Sequence, residues 1–205
     1  MGDMERNRRS TDNDIDKINA FKQGDVTAFD SLVLKHQDSV FSLAYWYLGD
    51  YQEASDCSQD TFLKAFKSIR SFRFDSAFST WLYRIAVNTC KNRLKSSAFR
   101  WKKKAIPLEN PGDSDGDATP MEIQDNAPTP LGELESKERD MLIRKTIASL
   151  PEDHRQVIVL RDIQGLTYEE ISDITGQNLG TVKSRLSRAR LELKNKLMGR
   201  VTNGL

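Results

Sequence analysis

Cysteine is scarce in this sequence. Cys57 and Cys90 are the only two among 205 residues, far apart and each inside a helix-like apolar pattern. A disulfide framework and a cysteine-rich zinc site are thereby excluded, and both thiols are expected as small buried side chains. Long hydrophobic runs are missing too. No segment reaches the roughly 18 apolar residues of a membrane span, and the opening MGDMERNRRSTDNDIDK is charged throughout, without the apolar centre of a secretion signal. With 38% hydrophobic residues to build cores, a globular cytoplasmic protein is expected. Catalytic apparatus is equally thin: His36 and His154 are isolated, no glycine-rich phosphate loop occurs, and carboxylates with metal spacing are confined to one stretch. That stretch, DSDGDATPMEIQ, alternates Asp113, Asp115 and Asp117 as calcium ligands would. Its sixth position is Ala118 rather than glycine and its twelfth is Gln124 rather than a bidentate Glu, so it fails as a calcium loop. No enzyme activity, cofactor, metal or small-molecule substrate is expected.

What is present is segregated charge. The net charge is only +1, yet from Glu109 to Glu135 every charged residue is acidic: Glu109, Asp113, Asp115, Asp117, Glu122, Asp125, Glu133 and Glu135. Five of the six prolines fall between 107 and 130, which makes this stretch a linker between two helical halves. From Ser76 to Glu109, by contrast, there is no acid before Glu109 itself. Upstream, Ala28-Phe29-Leu32-Val33, Val40-Phe41-Leu43-Ala44 and Phe62-Leu63-Ala65-Phe66-Ile69 recur at three- and four-residue spacing. They predict an N-terminal helical bundle, with loops at Gly24-Asp25, Gly49-Asp50 and 70–76.

The C-terminal half reads as a helix-turn-helix. Pro151 with Glu152 and Asp153 opens a helix buried through Val157, Ile158, Leu160 and Ile163. Thr167 and Glu170 form a capping box, and Gly176 supplies the left-handed residue that ends a two-turn helix. After Gln177-Asn178-Leu179, Asn178 or Gly180 can cap a long helix to about Leu197. Its apolar stripe is Val182, Leu186, Ala189, Leu193 and Leu197. The opposite face carries Lys183, Ser184, Ser187, Arg188, Arg190 and Lys194. Basic and hydroxyl residues that begin at the N-terminus of the second helix of such a motif are placed to meet a DNA major groove.

A second polar face lies in SFRFDSAFSTWLYRIAVNTCKNR, 71–93. Arg84, Asn88, Lys91 and Lys95 share one side of a helix expected over 80–95, flanked by Trp81 and Asn92, while Leu82, Ala86, Cys90 and Leu94 pack inward. Phe72, Phe74 and Phe78 bracket the loop Arg73-Phe74-Asp75-Ser76. Aromatic faces beside cations suit unstacked bases. Phe78 and part of Trp81 are expected in the core; Phe72 and Phe74, next to Arg73 and Asp75, are expected outside it. A helix-turn-helix regulator that binds only duplex DNA would need a sensory or dimerising half where this loop and helix stand.

Taken together, SFRFDSAFSTWLYRIAVNTCKNRL and SLPEDHRQVIVLRDIQGLTYEEISDITGQNLGTVKSRLSRAR resemble a bacterial sigma-70-family factor of the extracytoplasmic-function (ECF) group, close to its sigma-E, envelope-stress branch. The likeness runs from about 20 to 200. It implies an all-α fold of two helical domains: a tail over 1–16, sigma region 2 over 17–104, a flexible linker over 105–135 and sigma region 4 over 136–200. By this resemblance Phe72, Arg73, Phe74, Asp75, Ser76 and Ala77 form a loop that captures a flipped minus-10 base, with Arg84, Asn88, Lys91 and Asn92 near the melted junction. Thr181, Lys183, Ser184, Arg185, Ser187, Arg188 and Arg190 would hold the minus-35 duplex. Asp56, Gln59, Asp60 and Phe62 would dock on the beta-prime clamp helices of core RNA polymerase, with region 4 near the beta flap. The implied partners are core polymerase, promoter DNA and an anti-sigma factor, often membrane-bound. Three positions depart from the branch pattern: Phe74 replaces a glycine, Ser187 stands where an aromatic occurs, and Gln177-Asn178 lacks a turn proline.

Overall fold

The computed structural model describes residues 13–97, 99 and 130–202. The failed calcium loop and most of the acidic stretch lie outside them. The described residues are helical with no strand among them. Helix α1 (13–22) is followed by α2 (Thr27–Leu48), α3 (Tyr51–Ser68) and, after a 3-10 turn at Ile69–Ser71, α4 (Phe78–Lys95). In the second half come α5 (Pro130–Ala148), α6 (Glu152–Ile158) continued by a π-turn at Val159–Ile163, α7 (Tyr168–Thr175) and α8 (Leu179–Thr202).

Two expected boundaries move. Residues 13–16, assigned to the tail, are already helical, and Asp14 is buried. It accepts from Lys35 Nζ at 2.5 Å and lies 3.0 Å from His36 Nε2, which fastens α1 to α2. Residues 130–135, assigned to the linker, begin α5, because proline is tolerated in a first helical turn.

Local chemistry explains the corners. Asp50 caps α3 by accepting from Glu53 N at 2.9 Å. Gly49 ends α2 at φ 79°, and a Cβ there would come within 3.1 Å of Ala148 Cβ. Only glycine meets both the left-handed turn and this close approach by the second half. In α7 the Thr167–Glu170 capping box forms as the sequence predicts, and Gly176 closes the helix at φ 69°. Asn178 Oδ1 accepts from Thr181 N at 2.8 Å, so Asn178 is the residue that caps α8.

The halves, distant in sequence, pack against one another. One core joins Leu43, Tyr47, Leu82 and Ala86 of the first half with Ile147, Val157, Leu160 and Ile171 of the second. At the joint the Arg155 guanidinium is buried and donates to Tyr47 O (2.9 Å), Ala148 O (2.5 Å) and Leu150 O (3.0 Å). The carbonyl ends of α2 and α5 thus converge on one cation, where helix dipoles favour positive charge. Burial lowers the pKa of this guanidinium below its usual value.

Candidate nucleic-acid and polymerase interfaces

In the loop before α4 the two phenylalanines take opposite fates. Phe74 is 39% exposed and stands at φ 62°, the one non-glycine positive φ among the described residues. Phe72, expected outside the core, is 5% exposed. The 3-10 turn swings its ring inward, 5.2 Å from Trp81 and 6.0 Å from Phe78, and Lys22 Nζ donates to its carbonyl at 2.6 Å. Its faces are therefore unavailable for stacking on a base. Phe78 is buried and Trp81 half-buried, as expected. Lys22 lies 4.5 Å from the Phe74 ring, a cation the sequence reading missed because it comes from α1, some fifty residues upstream. Arg73 and Asp75 form an exposed ion pair at 3.2 Å, and Ser76 and Ala77 are half-buried at the helix entrance.

On α4, Arg84, Asn88, Asn92 and Lys95 are exposed along one side and Lys91 is half-buried. The second half leans on this side. Arg84 Nη2 donates to Asp173 O, in the last turn of α7, at 2.7 Å, and Lys91 Nζ lies 3.7 Å from Glu152. Tyr83 donates to Gln164 Oε1 and Gln164 Nε2 to Ser42 Oγ, both at 3.3 Å. None of these contacts is legible in the sequence.

The recognition helix α8 presents Lys183, Ser184, Ser187 and Arg188 to solvent, with Val182, Leu186 and Ala189 buried beneath. Thr181 is half-buried at its start. Two of the predicted contacts are held by acids of α6 and its π-turn: Arg185 lies 3.2 Å from Asp153, and Arg190 donates to both oxygens of Asp162 at 3.1 and 2.5 Å. The Asp162 hydrogen bonds raise the Arg190 pKa further. Lys183 sits 5.6 Å from the Tyr168 ring.

On α3, Gln59 and Asp60 are exposed and Phe62 is half-buried. Asp56 is held by Arg93 Nη2 at 3.1 Å and Gln52 Nε2 at 3.2 Å, while Arg93 Nε also pairs with Glu53. Leu63 and Phe66, 58% and 42% exposed, extend this face with apolar surface. Phe66 rests edge-on against Phe21 and Phe29 at 5.3 and 5.2 Å, and large apolar groups exposed beside acids make this face a candidate interface. Among the described residues no group of His, Cys, Asp and Glu is arranged to hold a metal ion, and no helix is long and apolar enough to cross a membrane.

Fold and surfaces together define a two-module transcription protein with a helix-turn-helix in its second half. Residues 32–100 match the family Sigma-70 region 2, and residues 140–193 match Sigma-70, region 4. The chain is 41% identical over 180 residues to the RNA polymerase sigma-H factor of Pseudomonas aeruginosa, covering 84% of this chain and 88% of that protein. It is 40% identical over 186 residues to the ECF RNA polymerase sigma-E factor of Escherichia coli K12, covering 88% and 92%. Among solved structures, the sigma factor RpoE in complex with the anti-sigma factor NepR from Bartonella quintana superposes with a TM-score of 0.59 at 25% identity, covering 84% of this chain and 98% of that one. CnrH in complex with the cytosolic domain of CnrY shares the fold, with a TM-score of 0.63 at 24% identity over 91% and 98% of the two chains. The chain belongs to the sigma-70 family, as an RNA polymerase sigma factor of the ECF group on its sigma-E-like branch.

Proposed function

We propose that the modules divide promoter recognition as follows. Region 4, taken as 136–200, sets α8 in the major groove of the minus-35 duplex, with Lys183, Ser184, Ser187 and Arg188 as direct contacts. Thr181 adds a contact at the helix start; Arg185 and Arg190, pinned by Asp153 and Asp162, stiffen the helix and reach phosphate from its flanks. Region 2, taken as 17–104, captures a minus-10 base in the loop Arg73 to Ala77, where Phe74 with Lys22 offers the exposed aromatic surface and Phe72 only supports the loop from below. Arg84, Asn88, Lys91 and Asn92 line the melted junction. Asp56, Gln59, Asp60 and Phe62, joined by Leu63 and Phe66, dock on the polymerase clamp. The single observation carrying this reading is the pairing, on one chain, of a basic recognition helix with an exposed aromatic-cation loop and polar helix face.

In the packed arrangement Arg84 is engaged by the end of α7, so polymerase must part the halves before that face meets DNA. The near-neutral charge of the chain fits weak promoter affinity without polymerase. The chain acts in the cytoplasm and performs no covalent chemistry of its own; core polymerase makes the RNA. Since RpoE of Bartonella quintana is held by an anti-sigma factor, control of this chain by such a protein, reporting an envelope stress, completes the reading. Transcription reconstituted from core polymerase and this chain tests it. Promoter-specific initiation is expected, whereas a duplex-binding regulator gives none. Purification of the tagged chain from its host is expected to bring core polymerase subunits and one small membrane protein.

A further inference from the structure

Cys57 and Cys90, expected as small buried side chains, face each other with Sγ atoms 3.6 Å apart across the α3–α4 contact. Both are buried, at 2% and 0% exposure. Two cross-braces bracket the pair. On one side Arg93 of α4 grips Glu53 and Asp56 of α3; on the other, Lys64 Nζ of α3 donates to Thr89 Oγ1 of α4 at 2.9 Å. The braces hold the two helices against one another and keep the sulfurs opposed. They also set two cations, Arg93 and Lys64, around the pair.

We propose that Cys57 and Cys90 form a modification site, a dithiol that takes a small hydroperoxide as oxidant and closes to a disulfide tying α3 to α4. Cys57 is the attacking sulfur. Its pKa is lowered, first by the hydrogen bond with Cys90 and further by Lys64 and Arg93, against burial and Asp60. Cys90, raised by that same hydrogen bond and by burial, stays protonated until the second step. The Cys57 thiolate attacks one peroxide oxygen, the O–O bond breaks, and the other oxygen leaves as water after taking a proton, so that Cys57 becomes a sulfenic acid. Cys90 then attacks Cys57 Sγ, loses its proton and expels the sulfenic oxygen as a second water. Two electrons pass from the sulfurs to the peroxide, and two thiols plus hydrogen peroxide become a disulfide plus two waters. The burial of both sulfurs selects a small uncharged oxidant over a bulky disulfide reagent.

The sulfurs must approach from 3.6 Å to about 2 Å. Asp56 precedes Cys57 and Lys91 follows Cys90, so the contraction falls beside the proposed polymerase-docking and minus-10 faces. Oxidation therefore lowers affinity for core polymerase; this consequence rests on the roles proposed above, while bond formation rests on the thiol pair alone.

The test treats the reduced full chain with hydrogen peroxide, removes the excess, and reads the intact mass, the peptide map and binding to core polymerase. Expected are loss of the mass of two hydrogens, a peptide linking Cys57 to Cys90, and a severalfold fall in polymerase affinity that dithiothreitol reverses. In Cys90→Ser, which keeps a hydroxyl donor to Cys57 but lacks the second sulfur, peroxide should leave a Cys57 sulfenic acid that dimedone traps, and Cys57→Ala should give neither product. Far-ultraviolet circular dichroism of the variants shows that they are folded. If both thiols of the native chain stay free until it is denatured, or if the linked chain binds polymerase as well as the reduced one, the proposal is overturned. Failure of the untreated chain to bind polymerase counts against the proposed function, and the mass and peptide readouts still decide the bond.

Discussion

Phe74, at φ 62°, occupies a backbone conformation that costs an L-residue about 1–2 kcal/mol. Replacing it separates backbone from ring. Phe74→Gly is expected to be more stable than Phe74→Ala by about 1 kcal/mol in chemical denaturation, the reverse of the usual ranking, because both lose the ring and only the alanine variant keeps the strain. Both variants should weaken capture of a single-stranded minus-10 oligonucleotide by the polymerase complex, since stacking is worth roughly 1–3 kcal/mol per base. Asp14 is a second case where one residue decides something local. Burial raises its pKa, but the His36 and Lys35 hydrogen bonds outweigh that and hold it below the ordinary 3.8. A carboxylate depressed in the folded state adds stability that is complete above its unfolded value and is lost as pH falls through its folded one. Thermal unfolding should therefore show Asp14→Asn less stable than the parent at neutral pH, with the two converging below the ordinary carboxylate value of 3.8. Parallel curves down through that range would show that Asp14 does not fasten α1.

At the scale of elements, α8 buries one side through Val182, Leu186 and Ala189 and leaves a basic side exposed, and the proposed function rests on that side's charge. Lys183→Ala and Arg188→Ala should each weaken minus-35 duplex binding by the polymerase complex. A residue contacting phosphate should reduce the salt slope by about one, and one reading a base edge should cost about 1–3 kcal/mol and relax preference at a single base pair. Titrations over a salt series on matched and mutated duplexes distinguish these. Asp162→Ala, by releasing Arg190, should leave base preference intact. Most of α7 and α8 was legible in the sequence: the capping box and glycine stop of α7 and the stripe of Val182, Leu186 and Ala189 in α8 follow from spacing alone. The ion pairs of Arg185 and Arg190 were not, because their acids lie about thirty residues away on another element.

For the whole molecule, the proposed function makes the joint between the halves the contact that has to open. Ser42 and Gln164 meet there at 3.3 Å. In a chain whose native cysteines are replaced by alanine, Ser42→Cys with Gln164→Cys should be bridged by a short bis-maleimide with a reducible spacer, which locks the joint across the span that the Gln164 side chain now fills. The locked chain is expected to lose promoter-specific transcription with core polymerase and to regain it on reduction. Full activity while locked would show that the α4 face needs no uncovering.

By itself the sequence determined an all-helical chain of two halves, the helix-turn-helix, its basic face, the polar side of α4 and the family resemblance, because periodicity, caps and charge are local properties read within a few turns. The tertiary structure alone decided that Phe72 lies inside and Phe74 outside, that α1 supplies Lys22 and the Asp14 clamp, and that two thiols 33 positions apart stand face to face. It alone placed α7 against Arg84. The physical reason is common to all of these: each depends on which helix faces which, and that is set by packing of apolar sides from distant segments, about which spacing within one helix carries no information.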